Sequence, residues 1–162
     1  MNNKTFITGI SIVLLVIFLD QLTKTIVADN LVRGAEIEVI PSYLYITHHI
    51  NTGAAWGMFA GQIVFFIVVT LIALVVFLIL SRDMAFREKP LYSIGVVLLI
   101  GGTIGNFIDR LRFKYVIDFI DVYIFGYNFP VFNVADMALT IGWVALAIDL
   151  IFINPKRSDD NA

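Results

Sequence analysis

The sequence predicts an α-helical integral membrane protein with four transmembrane helices and a small extracytoplasmic β-sheet platform. Hydrophobic residues make up 59% of the 162 residues, whereas they make up roughly half of an average soluble domain. Four apolar segments approach the ~20 residues that cross a bilayer. The two longer connections between these segments carry strand-like patterns. No linker or low-complexity stretch divides the chain, so we expect a single membrane-embedded domain over residues 1–162.

The first predicted span covers about residues 6–23. Its apolar part, Phe6 to Leu19, has the length of a signal-peptide apolar region. No small-x-small cleavage site follows it, so we interpret this segment as a retained span. The other predicted spans cover about residues 63–80, 91–108 and 137–153, and the longer connections cover about 24–62 and 109–136.

The charges predict an orientation in the membrane. Six of the 11 basic residues lie in short segments: the amino terminus, the connection between spans 2 and 3, and the tail. By the positive-inside rule both termini are then cytoplasmic and the longer connections lie outside the cell membrane. The net charge of −2 gives no support for nucleic-acid binding.

The two outer connections predict a small sheet. Glu36–Ile40 alternates polar and apolar residues like a half-buried strand, and Tyr43–Thr47 is rich in strand-forming residues. Val122–Phe125 leads through Gly126–Asn128 to Phe129, which predicts a hairpin. Tyr and Trp favour the membrane interface, so we expect this sheet, with Trp56, to cover a site at the outer surface.

Elimination leaves carboxylates as the candidate chemical groups. The chain has no cysteine, which excludes thiol chemistry and thiolate-ligated metals. The adjacent His48 and His49 would point to opposite faces of a strand and are unlikely metal partners. The serines occur in no nucleophile motif. Five aspartates lie at or beyond the outer ends of the spans and offer ten possible pairs: Asp20, Asp109, Asp118, Asp121 and Asp136.

Helical spacing groups the polar residues of spans 1 and 3. Asp20 and Lys24 are four positions apart on span 1 and can pair, either at a site or as a membrane-anchoring ion pair. In span 3, Gly102, Asn106 and Arg110 recur every four residues, beside Asp109. Gly101 and Gly105 in the same span permit close helix packing, so a packing seam is an alternative explanation for the glycines.

The start of span 4 and the segment before it supply two more carboxylates. Asn133 and Asp136 suit a helix cap, and simple capping would explain both. Asp118 lies in an apolar run, where burial favours the protonated form. Two carboxyls that share a proton can serve as acid and base in peptide hydrolysis. The spacing favours Asp118 with Asp136 among the ten pairs and leaves the others open.

Five segments of the chain, in order, resemble those of the bacterial lipoprotein signal peptidases (signal peptidase II): Asp20–Lys24, Asn51–Gly57, Gly101–Arg110, Val116–Phe119 and Phe132–Asp136. The resemblance implies a membrane-embedded aspartic endopeptidase of the bacterial cell membrane with Asp118 and Asp136 as its catalytic dyad. It also implies a set of supporting or substrate-binding residues: Asp20, Lys24, Asn51, Gly102, Asn106, Asp109, Arg110, Asn133 and Ala135.

The same resemblance implies the substrate and the inhibitor. The family removes signal peptides from prolipoproteins that carry a diacylglyceryl cysteine, needs no cofactor or metal, and is inhibited by globomycin. We expect the signal peptide to lie between the spans against the glycine strip of span 3, with its acyl chains in membrane lipid. Two non-enzymatic functions remain as alternatives, a small transporter subunit with an ion path and a structural assembly factor.

Overall fold

The structure is a computed structural model that describes residues 2–53 and 58–153; Trp56 lies outside these residues. Four helices are long and apolar enough to cross a membrane, which confirms the predicted spans. They are α1 (Asn3–Asn30), α2 (Ile63–Ser81), α3 (Pro90–Phe113) and α4 (Val134–Ile148). A π-helical turn, Asp149–Ile153, continues α4.

Two of the helices extend beyond their predicted ends. α1 continues past residue 23 to Asn30, and α3 continues past residue 108 to Phe113. At 1.5 Å per residue, the 28 residues of α1 span about 42 Å, more than the ~30 Å hydrocarbon core. The polar residues that suggested helix ends lie inside the helices instead, because they pair with one another between α1 and α3.

The predicted sheet is present and has four antiparallel strands in the order β1-β2-β3-β4. They are β1 (Glu36–Ile40), β2 (Leu44–Asn51), β3 (Val116–Ile124) and β4 (Tyr127–Asn128). The predicted hairpin joins β3 to β4, with positive φ angles at Phe125 and Gly126. Tyr127 and Asn128 therefore belong to a strand and not to the turn. We call the end of the helix bundle that carries this sheet the sheet end.

The prediction that Glu36–Ile40 is half-buried is wrong. All five residues of β1 are exposed, because β1 is an edge strand that pairs only with β2 among the described residues. Although polar and apolar residues alternate along β1, both faces of the strand are exposed and neither packs on a core.

α3 is the central helix and packs against the other three. About 61% of its spanning segment is buried, compared with 17% for α1 and for α2. Glycines allow the close approach. A Cβ atom on Gly101 would lie 2.9 Å from the Val16 side chain of α1, and one on Gly102 would lie 2.5 Å from the Ala135 carbonyl oxygen of α4. The seam of small residues therefore serves contacts inside the chain.

The close contact at Gly102 corrects the expected path of the signal peptide. A helical signal peptide cannot lie against the glycine strip of α3, because α1 and α4 already occupy it. A cavity large enough for a peptide segment lies instead on the side of α3 that faces α2.

The packing at Gly102 generates a stability prediction. Gly102→Ala places a methyl group against backbone and against Leu139 Cγ at 2.9 Å, so α4 must move. Overpacking of this kind costs about 1–3 kcal/mol. We expect a clearly lower thermal unfolding midpoint in detergent, measured by intrinsic fluorescence.

Gly9→Ala is the matched control. Its added methyl group would meet the flexible end of Met84 at 3.2 Å, which can move at little cost. Equal unfolding midpoints for Gly102→Ala and Gly9→Ala would show that the close approach of α3 to α4 at Gly102 does not limit the stability of the protein.

Candidate active site

A cavity of about 710 Å³ opens between α2, α3 and α4 and reaches the sheet end. Its polar wall carries both aspartates of the predicted dyad, Asp118 and Asp136, together with Asn51, Asn106 and Arg110. Its remaining walls are mostly apolar and include the following residues: Phe66, Val69, Ala73, Val116, Phe129, Pro130, Val131, Phe132, Met137, Leu139 and Ile141.

Asp118 lies in the middle of β3 and is buried, with 1% of its surface exposed. The Asn51 amide donates to its Oδ2 at 2.9 Å, and the Asn133 amide donates to its Oδ1 at 2.6 Å. Both carboxylate oxygens therefore accept a hydrogen bond from a side-chain amide, and the carboxyl is held in one orientation.

A β-bulge in β2 places Asn51 beside Asp118. Tyr45 pairs with Asp121, but His49 pairs with Asp118, so β2 contains one extra residue between Ile46 and His49. One extra residue reverses the face on which all later side chains of a strand lie. Without the bulge, the Asn51 side chain would lie on the face of the sheet opposite to Asp118.

Burial, with a smaller contribution from the nearby Asp136 carboxyl, raises the pKa of the Asp118 carboxyl to about 7. The hydrogen bonds from Asn51 and Asn133 and the charge of Lys24 act in the opposite direction, because they favour the ionised form. Asp118 is thus able to hold a proton near neutral pH, as its apolar surroundings in the sequence predicted.

Asp136 lies in the first turn of α4, at the positive end of the helix. Asn133 is the N-cap, and the two residues form a capping box: the Asn133 side chain accepts from the Asp136 N–H, and Asp136 Oδ2 accepts from the Asn133 N–H. The other oxygen, Oδ1, accepts from the Asn106 amide at 2.7 Å. Asp136 is less buried than Asp118, so the capping role leaves its carboxyl accessible from the cavity.

The start of α4 is fixed next to Asp118 by backbone pairing. Phe132 exchanges hydrogen bonds with Ile120 of β3, at 2.8 and 3.0 Å. The next residue, Asn133, is fully buried and donates to the Asp118 carboxylate and to the Asn106 oxygen. Asn133 therefore joins the two aspartates through one side chain and one capping box.

Lys24 supports this arrangement from α1. Its side chain is 2% exposed, and its ammonium nitrogen contacts Asp20 at 2.9 Å, Asp109 at 3.0 Å and the Asn106 oxygen at 2.9 Å. An ammonium group has three N–H donors, so each donor has one acceptor. The contact with Asn106 fixes the orientation of that amide, so that its NH₂ group points to Asp136.

Asp20 and Asp109 connect the ion group around Lys24 to two other elements, α4 and β3. Asp20 Oδ1 accepts from the Ala135 N–H of α4, and Asp109 Oδ2 accepts from the Ile117 N–H of β3. Gln21 donates to both carboxylates, at 3.2 and 2.9 Å. The predicted pairing of Asp20 with Lys24 is therefore observed, and the same lysine, rather than a basic residue near Asp109 in the sequence, pairs with Asp109.

Arg110 takes a different position from Lys24, the other basic residue of the predicted site. It lines the cavity, and its guanidinium lies 4.8 Å from the ring centroid of Phe66 on α2. It is the charged group that the cavity presents near the two aspartates.

The structure brings together all the predicted site residues. Gly102 and Ala135 contribute by close packing, since the Ala135 oxygen would clash with any side chain at position 102. Asp121 lies on β3 but does not line the cavity, and its Oδ1 is buried without a hydrogen-bond partner among the described residues. Gln21 was missed as a site residue, although its place between Asp20 and Lys24 on one helix was a usable signal.

Within residues 2–53 and 58–153, no group of three or more His, Asp or Glu side chains has a geometry that could hold a metal ion.

Fold and site together define a class of protein: a multi-pass membrane protein with a buried network of carboxylates and amides at one end of its helices. The family model for signal peptidase (SPase) II matches residues 12–152. The chain belongs to this family of membrane proteases, as its motifs predicted.

Individual relatives agree with the family model. The chain is 44% identical over 163 residues to a lipoprotein signal peptidase of Staphylococcus aureus, with 98% of each chain covered. It is 46% identical over 155 residues to the lipoprotein signal peptidase of Staphylococcus aureus strain JH9, with 93% of each covered.

Two solved structures, both described as bacterial membrane enzymes determined by the in meso method, share the fold. One, at 2.3 Å resolution, has a TM-score of 0.82 and 41% identity and covers 94% of this chain and 90% of its own. The other, at 1.9 Å, has a TM-score of 0.80 and 41% identity and covers 91% and 94%.

The buried ion group generates a second stability prediction. Lys24→Met keeps the length of the side chain but leaves Asp20 and Asp109 without a buried cation. Removing one partner of a buried ion pair costs about 3–5 kcal/mol, so we expect a large loss of thermal stability in detergent.

Two further variants test the cause. Lys24→Met with Asp109→Asn should recover part of the loss, because one unpaired charge is removed. Lys4→Met, which changes an exposed lysine of the same helix, should leave the unfolding midpoint unchanged. No recovery in the double variant would argue against charge as the cause.

Proposed function

We propose that this protein is an aspartic endopeptidase that removes the signal peptide from diacylglyceryl-modified prolipoproteins, cleaving before the lipidated cysteine. The observation that carries the proposal is that Asp118 and Asp136 line one cavity and are joined through Asn106 and Asn133. The relatives named lipoprotein signal peptidase support the class of substrate.

The surroundings of the two carboxyls favour different protonation states. Asp136 lies at a helix amino terminus and accepts a backbone N–H and an amide N–H, interactions that stabilise a negative charge. Asp118 is almost completely buried, and its pKa is raised to about 7. We therefore assign the base to Asp136 and the shared proton to Asp118.

Hydrolysis then follows from this assignment. Asp136 takes a proton from a water molecule, whose oxygen attacks the peptide carbonyl carbon, while Asp118 donates its proton to the carbonyl oxygen. When the tetrahedral intermediate collapses, the C–N bond breaks and the proton held by Asp136 passes to the leaving amine. The proton on the former carbonyl oxygen returns to Asp118, which restores the starting state.

The cavity has a shape that suits an apolar peptide. α2 packs against α3 but makes no extensive contact with α4. The two helices meet through the rings of Phe77 and Trp143, with centroids 5.7 Å apart. A signal peptide would lie between α2 and α4, with the scissile bond at the sheet end. The acyl chains of the lipidated cysteine would lie in the membrane lipid. Globomycin, the inhibitor implied by the family resemblance, would occupy the same cavity.

The orientation follows from the same proposal. The sheet end would face the outside of the bacterial cell membrane, with both termini in the cytoplasm. Prolipoproteins would then meet the dyad at the outer surface of the bilayer.

Removing either carboxyl tests the proposal directly. We expect Asp118→Asn and Asp136→Asn to lower the cleavage rate of a diacylglyceryl-modified prolipoprotein in detergent by about 10²–10⁴-fold each. The measurement is the appearance of the released signal peptide, by mass spectrometry, with and without globomycin.

Asp121→Asn is the matched control, because it changes an aspartate of the same strand that does not line the cavity. We expect it to cleave at close to the wild-type rate. Wild-type rates in a folded Asp118→Asn or Asp136→Asn variant would refute the dyad.

The proton assignment predicts a pH dependence. The reaction needs Asp118 protonated, and the protonated fraction falls as pH rises through its pKa of about 7. Cleavage should therefore decline on the alkaline side of about pH 7. The Asn51 amide favours ionised Asp118, so Asn51→Leu should move this decline to higher pH while lowering the maximal rate.

Thr70→Val is the control for the pH profile, since Thr70 lines the cavity from α2 without a hydrogen bond to either carboxyl. Its alkaline decline should match the wild type. A decline that stays in place, or moves to lower pH, in Asn51→Leu would contradict the assignment of the proton to Asp118.

A further inference from the structure

A second polar feature lies at the sheet end, outside the cavity. Three exposed basic residues, Arg33, Arg112 and Lys114, surround two aromatic residues, Phe113 and Tyr115. None of the five lines the cavity that contains the dyad. We call these five residues the basic–aromatic patch.

Direct contacts join the members of the patch across two parts of the chain. Arg33, from the segment after α1, donates to the Tyr115 hydroxyl at 2.7 Å. Tyr115 stacks on Phe113, with ring centroids 5.7 Å apart and planes 21° apart. The Arg112 guanidinium lies 4.9 Å from the Phe113 ring centroid. The two arginines therefore lie at opposite ends of one aromatic stack, which holds the patch together.

The charges of the patch are not neutralised by the described part of the chain. Among residues 2–53 and 58–153, neither arginine of the patch nor Lys114 forms an ion pair with a carboxylate. Three cations thus lie on one surface with their charge directed to the surroundings. A nearby anion would be attracted to this surface.

The position of the patch identifies the kind of anion. α1 ends at Asn30 and α3 ends at Phe113, so the patch lies at the ends of two helices that are long and apolar enough to cross a membrane. Aromatic rings are typical of the membrane interface, where basic residues attract anionic lipid headgroups. Lys114 has a left-handed φ of 69° at the C-cap of α3, where glycine is favoured. A lysine at a position that favours glycine suggests that its charged side chain has a function there.

We propose that the basic–aromatic patch binds the phosphodiester headgroup of an anionic phospholipid in the leaflet at the sheet end. The two guanidiniums and the Lys114 ammonium would contact the phosphate oxygens, and the aromatic pair would pack against the glycerol and the upper acyl chain. The proposal uses the placement of the helices in a membrane and does not depend on the peptidase chemistry.

A simpler role exists for part of the patch. Arg112 lies in the last turn of α3 and Lys114 is its C-cap, and a cation at either position stabilises the helix dipole. That role does not involve Arg33, and it would change stability without any preference for a lipid. The test therefore measures lipid selectivity directly.

Native mass spectrometry of the detergent-purified full chain measures this selectivity. The probes are phosphatidylglycerol and phosphatidylcholine with identical acyl chains. We expect the most tightly bound lipid molecule to bind with higher affinity when it is phosphatidylglycerol than when it is phosphatidylcholine. The triple variant Arg33→Gln, Arg112→Gln, Lys114→Gly should weaken this tightest binding step by roughly tenfold or more. Lys114→Gly suits the test because glycine accepts the left-handed backbone.

The matched control is Arg82→Gln, Arg87→Gln, Lys89→Gln, which removes three basic residues from the connection between α2 and α3 at the opposite end. It should keep the tightest phosphatidylglycerol step, and glycerophosphoglycerol, the headgroup without acyl chains, should not displace the lipid. Equal binding of the two lipids, wild-type affinity in the patch variant, loss in the control alone, or displacement by the free headgroup would each overturn the proposal.

Discussion

The Lys24 ammonium is the interaction on which the rest of the site depends. It is buried in the bundle and gives each of its three N–H donors one acceptor: Asp20, Asp109 and Asn106. An ion in this position is stable only when its hydrogen-bonding capacity is filled, because water and mobile counterions are absent. Its acceptors lie on α1 and α3, and the two aspartates among them also accept backbone N–H groups from α4 and β3. One cation therefore fixes the relative positions of three helices and a strand.

The proposed dyad of Asp118 and Asp136 inherits its asymmetry from this framework. Asn106 accepts from Lys24 and must therefore direct its amide hydrogens to Asp136. Asn133 uses its oxygen to cap α4 and its NH₂ group to hold Asp118. Each asparagine is a donor to one aspartate, and neither can be rotated without breaking a bond to the framework. The two carboxyls thus differ in burial and in hydrogen bonding before any substrate arrives, which is the condition for separate acid and base roles.

The sequence predicted the spans, the sheet and most residues of the network, because these leave a local signal. Asn51 and Ala135 were predicted from the family resemblance, and Gln21 was missed. Apolar length identifies spans, period-four spacing placed Asp20 with Lys24, and a capping pattern marked Asn133 with Asp136. It did not predict the bulge in β2 that turns Asn51 to Asp118, nor the close contact of Gly102 with Ala135 that excludes a peptide from the glycine strip. Both depend on how distant segments pair, and neither leaves a pattern within either segment.

The network also explains why the cavity lies beside α2. It joins α1, α3, α4, β2 and β3, and among the described residues α2 meets the site through the ring of Phe66 under Arg110. α2 supplies an apolar wall, packs mainly on α3 and leaves the side facing α4 open. A site of the proposed kind needs fixed chemistry and an apolar surface for its substrate. The structure separates these requirements, with the charged framework on one side of α3 and the apolar wall of α2 on the other.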